Sequence, residues 1–164
     1  MEKSNSEQLF NEFLRISKIL NSELNIVPVL FGSLGLQKIT DLEFSPQDID
    51  ILVPLEFLRD KWNRLQFTVE SLGYKLVDLH EHEFKNNDLS IAFSYEEDLY
   101  HFADVEYKEL KILNVNGIRY KTLSIEEYLK VYKISSIDGY RRTKNNNKDL
   151  VKINTIEELM KEKF

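Results

Sequence analysis

Four residues in the stretch LFGSLGLQKITDLEFSPQDIDILVP, Leu30 to Pro54, are of types that handle metal and phosphate: Gly32, Ser33, Asp48 and Asp50. Residues i and i+2 of a strand share a face, so Asp48 and Asp50 project one way while Ile49 and Ile51 point into a core. Two carboxylates about 4 Å apart repel by roughly 4 kcal/mol at an effective dielectric near 20. Unrelieved, that repulsion pushes one pKa up. A divalent cation relieves it directly. Oxygen-only ligands suit Mg²⁺ or Mn²⁺, and magnesium commonly takes substrate phosphates as further ligands. Gly32-Ser33 is the complementary half. Without a Cβ, Gly32 lets a phosphate approach the backbone. The N–H groups there, with the Ser33 hydroxyl, make an anion cradle at a helix start. Separately, Gly-Ser is an ordinary turn dipeptide and Asp-x-Asp an ordinary solvated pair. Joined by the 14 residues from Leu34 to Gln47, between two apolar strands, they are the parts that phosphoryl or nucleotidyl transfer needs.

Elements that position these residues are legible on either side. Ser4-x-x-Glu7 reads as a capping box. Leu9, Phe10, Phe13, Leu14 and Ile16 follow at helical spacing, which predicts a helix to about Asn21. Asn25 to Phe31 reads as a strand, with Pro28 pointing to an edge or irregular position. Gly32 to Gln47 reads as a loop with a helical turn after Ser33. Asp48 to Val53 is a second strand, stopped by Pro54, and Leu55 to Leu72 a helix closed by Gly73. Tyr74–His80, Leu89–Tyr95 and His101–Tyr107 read as three more strands. Asn116-Gly117 is a strong type I′ turn signal and makes Leu110 to Leu123 a hairpin. Ser124-x-x-Glu127 caps a helix to about Ile137, ended by Asp138-Gly139. A last helix starts near Lys148, with a break near Asn154 and a restart capped at Thr155. The prediction is an α+β fold: a small mixed β-sheet with helices packed on it, one domain over 1–164, of which 124–164 is a C-terminal helical part.

Composition narrows the classes. The chain has 164 residues, 42% hydrophobic and 12% aromatic, enough for one core. No apolar run approaches the ~20 residues that a membrane helix needs. The start, MEKSNSEQLF, is polar and acidic, unlike a secretory signal. With no cysteine, disulfides, cysteine-ligated zinc and thiol catalysis are excluded, and the expected location is the cytoplasm. Net charge is −6, unevenly spread: the first 110 residues hold 10 basic and 21 acidic side chains, and those from Lys111 onward 12 basic and 7 acidic. The acidic majority opposes nonspecific nucleic-acid binding. The asymmetry suits a site with one part for metal and another for phosphate.

The spacing of Gly32-Ser33 and Asp48-x-Asp50 resembles the nucleotidyltransferase superfamily typified by polymerase beta. Its signature is a strand ending in Gly-Ser or Gly-Gly, a loop, then Asp-x-Asp or Asp-x-Glu on the next strand. The loop length is closer to that of its small antibiotic-modifying members. The resemblance implies Mg²⁺ or Mn²⁺ held by Asp48 and Asp50, an NTP as substrate, and outer phosphates gripped by Gly32 and Ser33. It also implies a third carboxylate on a later strand, either a metal ligand or the base on the attacking hydroxyl. Asp104 in HFADVEY is the match, with Glu106 on the same strand face. Lys133, and Lys148 of a Lys-Asp pair, match loosely the family's triphosphate-binding lysines, and Arg141, Arg142 and Lys144 lie between them. The implied reaction moves a nucleoside monophosphate onto the hydroxyl of a small molecule or a partner protein. The superfamily's toxin–antitoxin branches, whose acceptor is a protein or tRNA, and a homodimer are compatible with the same residues.

Other readings carry less. Glu106-x-Lys108 with an upstream Asp resembles a restriction-type nuclease signature, but leaves Gly32-Ser33 and Asp48-x-Asp50 unexplained. His80 and His82 can share a strand face, yet no third soft ligand is spaced to complete a zinc site. Phe84, Phe93 and Tyr95 suit either a core or an interface. A non-catalytic nucleotide-binding module would retain the same cradle without needing a base.

Overall fold

The computed structural model describes residues 5–137 and 148–163. Helix α1 (Asn5–Leu24) leads into β1 (Val29–Phe31), α2 (Gly32–Thr40) and β2 (Ile49–Val53). A 3₁₀ turn (Leu55–Leu58) and α3 (Trp62–Glu70) follow, then β3 (Lys75–Asp78), β4 (Glu83–Asn86) and β5 (Leu89–Tyr95). Next come α4 (Asp98–Ala103), a 3₁₀ turn (Tyr107–Glu109), β6 (Lys111–Val115), β7 (Ile118–Thr122), α5 (Ile125–Ile137) and α6 (Lys148–Lys163). The strands form one seven-stranded sheet in the order β3-β4-β5-β2-β1-β7-β6. The pairs β2–β5 and β1–β7 are parallel and the others antiparallel. This is the mixed sheet with packed helices that the sequence predicts.

Two apolar clusters sandwich the sheet. On one face, Leu9, Phe13, Ile16 and Leu20 of α1 and Leu65 and Val69 of α3 meet Ile49, Ile51, Ile91, Phe93 and Phe84. The 3/4 spacing of the α1 residues is what makes that helix: every one falls on the buried stripe. On the other face, Leu36 of α2, Leu99 and Ala103 of α4, Tyr128, Val131 and Tyr132 of α5, and Ile153 and Ile156 of α6 cover Val29 and Leu52. No residue of β3, β4 or β5 belongs to this second cluster. The helices on that side therefore stop at β2, and the sheet face beyond it is open: Lys75, Lys85 and Ser94 are exposed. Phe84 and Phe93 are core residues in edge-to-face contact, which settles their role.

Several elements differ from the sequence reading. The loop after Gly32 contains a nine-residue helix, α2. Two glycines in its first turn lower its intrinsic propensity, and burial of Leu34, Gly35, Leu36 and Thr40 compensates. Leu55 to Leu72 splits into a 3₁₀ turn and α3. Pro28 does not mark an edge: it precedes β1, an inner strand, and its carbonyl accepts the Lys121 N–H at 2.7 Å. Strand β4 was not read, because Phe84 is its single buried residue. The final helix α6 runs without a break through Asn154. The Asn116-Gly117 turn forms as predicted, with φ of 53° and 88°. The expected end of α5 at Asp138-Gly139 and the loop residues Arg141, Arg142 and Lys144 lie outside the described residues.

The stretch His101 to Tyr107 is the main correction. It is not a strand: α4 ends at Ala103, Asp104 takes a left-handed conformation (φ 55°, ψ 40°), and Glu106 caps a 3₁₀ turn. Alternation of Phe102, Asp104 and Glu106 with Ala103 and Val105 imitated a strand. The residues Leu99 and Ala103 are four apart and both buried, which is equally a helix signal.

Candidate nucleotide and metal site

The site forms where β1 ends and β2 begins. These strands are antiparallel neighbours, and Phe31 pairs directly with Asp50. The chain leaves β1 at Phe31, which is extended (φ −126°, ψ 179°) and offers no side-chain cap to the helix that follows. Gly32 then adopts φ +68°, the left-handed region that suits glycine. A Cβ at Gly32 would collide with Oδ2 of Asp50. The Asp50 carboxylate thus lies against the backbone at the N-terminus of α2, where the helix dipole favours negative charge. Ser33, half-buried, is the second residue of that turn. Gly32, Ser33 and Asp50 are brought together.

Helix α2 is seated by a second glycine. A Cβ at Gly35 would strike the Tyr128 hydroxyl and the Leu30 carbonyl. That hydroxyl donates to Leu30 O at 2.9 Å from fully buried Tyr128, whose pKa burial pushes up, so it stays a donor. Tyr128 thereby ties α5 to β1 beneath the cradle. Sequence reasoning did not single out Gly35 or Tyr128; their role needs the close approach of three elements.

Asp48 sits just ahead of β2 and is exposed, while Ile49 and Ile51 are fully buried. The predicted alternation holds. Atoms crowding the Asp48 carboxylate raise its pKa by desolvation; Glu83 raises it further and Lys85 opposes both. Glu83 belongs to the site through register. Asp50 pairs with Ala92 of β5, and Ala92 pairs with Glu83 of β4. Laterally paired residues share a sheet face, so Glu83 stands two strand spacings from Asp50, roughly 10 Å at the backbone, across an alanine. Ser90 Oγ donates to Glu83 Oε2 at 3.2 Å. On the face that Asp50 shares, β5 carries Ser90, Ala92 and Ser94 and no acid.

Asp104 is not part of this arrangement. It is exposed at the end of α4, and its backbone carbonyl accepts Lys130 Nζ at 2.9 Å. Glu106 accepts the Lys108 N–H at 3.2 Å to cap its own turn. Among the described residues, no three His, Cys, Asp or Glu side chains are placed to hold a metal ion together. The expected metal triad Asp48–Asp50–Asp104 is therefore not assembled, because the segment carrying Asp104 is helical and packs against α5. The same geometry removes the premise of the nuclease reading, in which Glu106 and Lys108 share a strand. His82 contacts Trp62, and His80 is exposed. Lys133 is exposed on α5, and Lys148 opens α6 with its side chain outside the described residues.

No family model matches the chain. YnaI of Bacillus subtilis (strain 168), an uncharacterized protein, is 54% identical over 154 residues, spanning 94% of this chain and 99% of the relative. Among solved structures, the solution structure of antibiotic-resistance factor ANT(2'')-Ia matches at a TM-score of 0.50 and 13% identity, covering 95% of this chain and 90% of the other. A crystal structure of ANT(2'')-Ia in complex with adenylyl-2''-tobramycin matches at 0.49 and 13% identity, with 90% and 92% coverage. The first likeness shows the fold, which is nucleotidyltransferase-like.

Proposed function

The chain belongs to the family of Bacillus subtilis YnaI, and on that premise and its fold we propose that it is a metal-dependent nucleotidyltransferase. The observation that carries this reading is the Asp50 carboxylate resting on Gly32 at the start of α2. It supports a reading in which residues of metal-binding and phosphate-binding type act side by side. The donor set fits Mg²⁺ or Mn²⁺: Asp48 and Asp50 offer hard oxygens, and Glu83 adds negative charge near Asp48 that a cation relieves. When bound, the ion supplies charge neutralisation on the triphosphate.

The chain's own residues do the rest. N–H groups of the first turn of α2 and the Ser33 hydroxyl donate to phosphate oxygens. Asp48 and Asp50 are the residues that would hold the cation. The acceptor lies on the face of β5 and β4 beyond β2, where the small side chain of Ala92 leaves room. Its hydroxyl oxygen bonds to the α-phosphorus as the bond from that phosphorus to the bridging oxygen breaks, and pyrophosphate leaves. Glu83 takes the hydroxyl proton, in the role that the family resemblance implies for Asp104 or Glu106. Lys133 and Lys148 are the proposed partners of the leaving group. The acceptor is a small molecule or partner protein carrying a hydroxyl, and the setting is the cytoplasm. No helix among the described residues is long and apolar enough to cross a membrane.

A second reading is favoured by one specific observation: β5 opposes Asp50 with Ala92 rather than an acid. A non-catalytic module that binds nucleotide and metal would tolerate that alanine. Two measurements separate the readings. Thermal melting with each NTP, with and without Mg²⁺, should give stabilisation only with both present. Labelled NTP, Mg²⁺ and pooled hydroxyl acceptors should then give a labelled product, absent with Asp50→Asn. Binding without transfer selects the non-catalytic module, and no magnesium-dependent binding refutes both.

A further inference from the structure

We propose that Gln37 is a positioning residue that sets the spacing between the phosphate cradle and the Asp48 carboxylate; the inference rests on the nucleotidyltransferase reading. Asp48 precedes the first paired residue of β2, Ile49. Its placement therefore depends on the segment 41–47, which has no regular secondary structure. That segment leaves α2 through Asp41, a left-handed C-cap (φ 59°) whose N–H bonds Gln37 O at 2.8 Å. It returns to β2 through Ser45, also left-handed (φ 48°).

Packing holds this segment at Phe44, which lies against the second apolar cluster, and at buried Pro46, but leaves a gap beside them. A cavity of about 190 Å³ lies between it and α1, lined by Asn5, Ser6, Glu43, Ser45, Pro46 and Gln47. Polar bonds bridge that gap, and Gln37 makes two of them with opposite ends of one amide. Its Oε1 accepts the Phe44 N–H at 3.0 Å, and its Nε2 donates to Ser6 Oγ at 2.7 Å. A longer contact, Asn5 Nδ2 to Pro46 O at 3.4 Å, is a further tie to α1. Gln37 is on α2, the helix that Gly32 and Ser33 open. A single side chain thus links the cradle helix, the segment delivering Asp48, and α1. Loosening it lets Asp48 drift while Asp50, held by the β1–β2 ladder, stays.

The magnesium midpoint for ATP-dependent thermal stabilisation tests this, with hydrogen exchange of the Phe44 and Ser45 amides followed without ligand. Gln37→Met keeps length and loses both bonds. It should raise the magnesium midpoint about tenfold and speed exchange of those amides. Gln37→Glu still accepts from Phe44, and the Ser6 hydroxyl can turn to donate to it, so its midpoint should stay within about threefold of wild type. Ser6→Ala removes only the outer bond and should give an intermediate shift, a check that does not depend on Gln37→Met folding. A merely structural Gln37 would lower the melting temperature and leave the midpoint unmoved. An unchanged midpoint in Gln37→Met, or a Gln37→Glu midpoint as high as that of Gln37→Met, overturns the inference while the nucleotidyltransferase reading stands. A wild-type protein that gains nothing from ATP with magnesium overturns that reading and this inference with it.

Discussion

Replacing Gly32 by alanine reports directly on the contact that defines the site. At φ +68° a β-carbon costs about 1–2 kcal/mol. The new methyl also lands on Asp50 Oδ2, and forcing that carboxylate aside costs about 1–3 kcal/mol more. The sum is roughly 2–5 kcal/mol, or roughly 4–20 °C in Tm at about 2–4 °C per kcal/mol for a chain of this size. The two costs separate in a double-mutant cycle. On an Asp50→Ala background the carboxylate is gone and only the residue-50 Cβ, 3.2 Å from the new methyl, remains close, so Gly32→Ala should cost mostly its backbone strain, about 1–2 kcal/mol. The coupling between the two changes should be about 1–3 kcal/mol. Urea unfolding of the four proteins at neutral pH with EDTA gives each free energy. Additivity within about 0.5 kcal/mol would show that Asp50 does not rest on Gly32, and the argument for the site would fall with it.

Other outcomes follow from individual side chains. Glu83→Gln should leave magnesium-dependent NTP binding within about threefold and lower label transfer by about 10²-fold or more; equal transfer would remove Glu83 as the base. Asp104→Gly should relieve the left-handed strain at φ 55°, raising stability by up to about 1 kcal/mol, with NTP binding unchanged; lost binding would restore Asp104 to the site. Glu96 is buried beside Lys121 at 3.3 Å, and one of its oxygens has no hydrogen-bond partner. Burial raises its pKa more than Lys121 lowers it. Between the ordinary carboxylate pKa and the raised one, the native form therefore holds more proton than the unfolded chain. Stability should fall as pH rises from the ordinary carboxylate range through the raised pKa. Glu96→Gln should match wild type below that window and exceed it above, in urea melts from pH 4 to 7; a wild-type advantage at pH 7 would mean the ion pair outweighs desolvation.

By itself the sequence determined the halves of the site that depend on local rules. A strand has period two, so Asp48-Ile49-Asp50-Ile51 could present its acids only opposite two buried isoleucines, and it does. The positive φ of Gly32 and Gly117 is open to them because they lack a β-carbon, and Asn116 is of a type that tolerates the same region, all properties of residue type. The buried stripe of α1 and the capping box of α5 are equally local: Ser124 Oγ accepts the Glu127 N–H at 3.2 Å, and Glu127 Oε1 accepts the Ser124 N–H at 2.8 Å. Only the tertiary structure decided which other residues join the site. His101 to Tyr107 alternates like a strand and carries helical spacing too, and packing against α5 chose the helix, taking Asp104 away. Strand β4 has one buried side chain, because its other face is open, so periodicity had almost nothing to register. Yet that strand brings Glu83 to the rung of Asp50. Register between strands far apart in the chain, and the seating of α2 through Gly35 and Gln37, arise from contacts that no local pattern encodes.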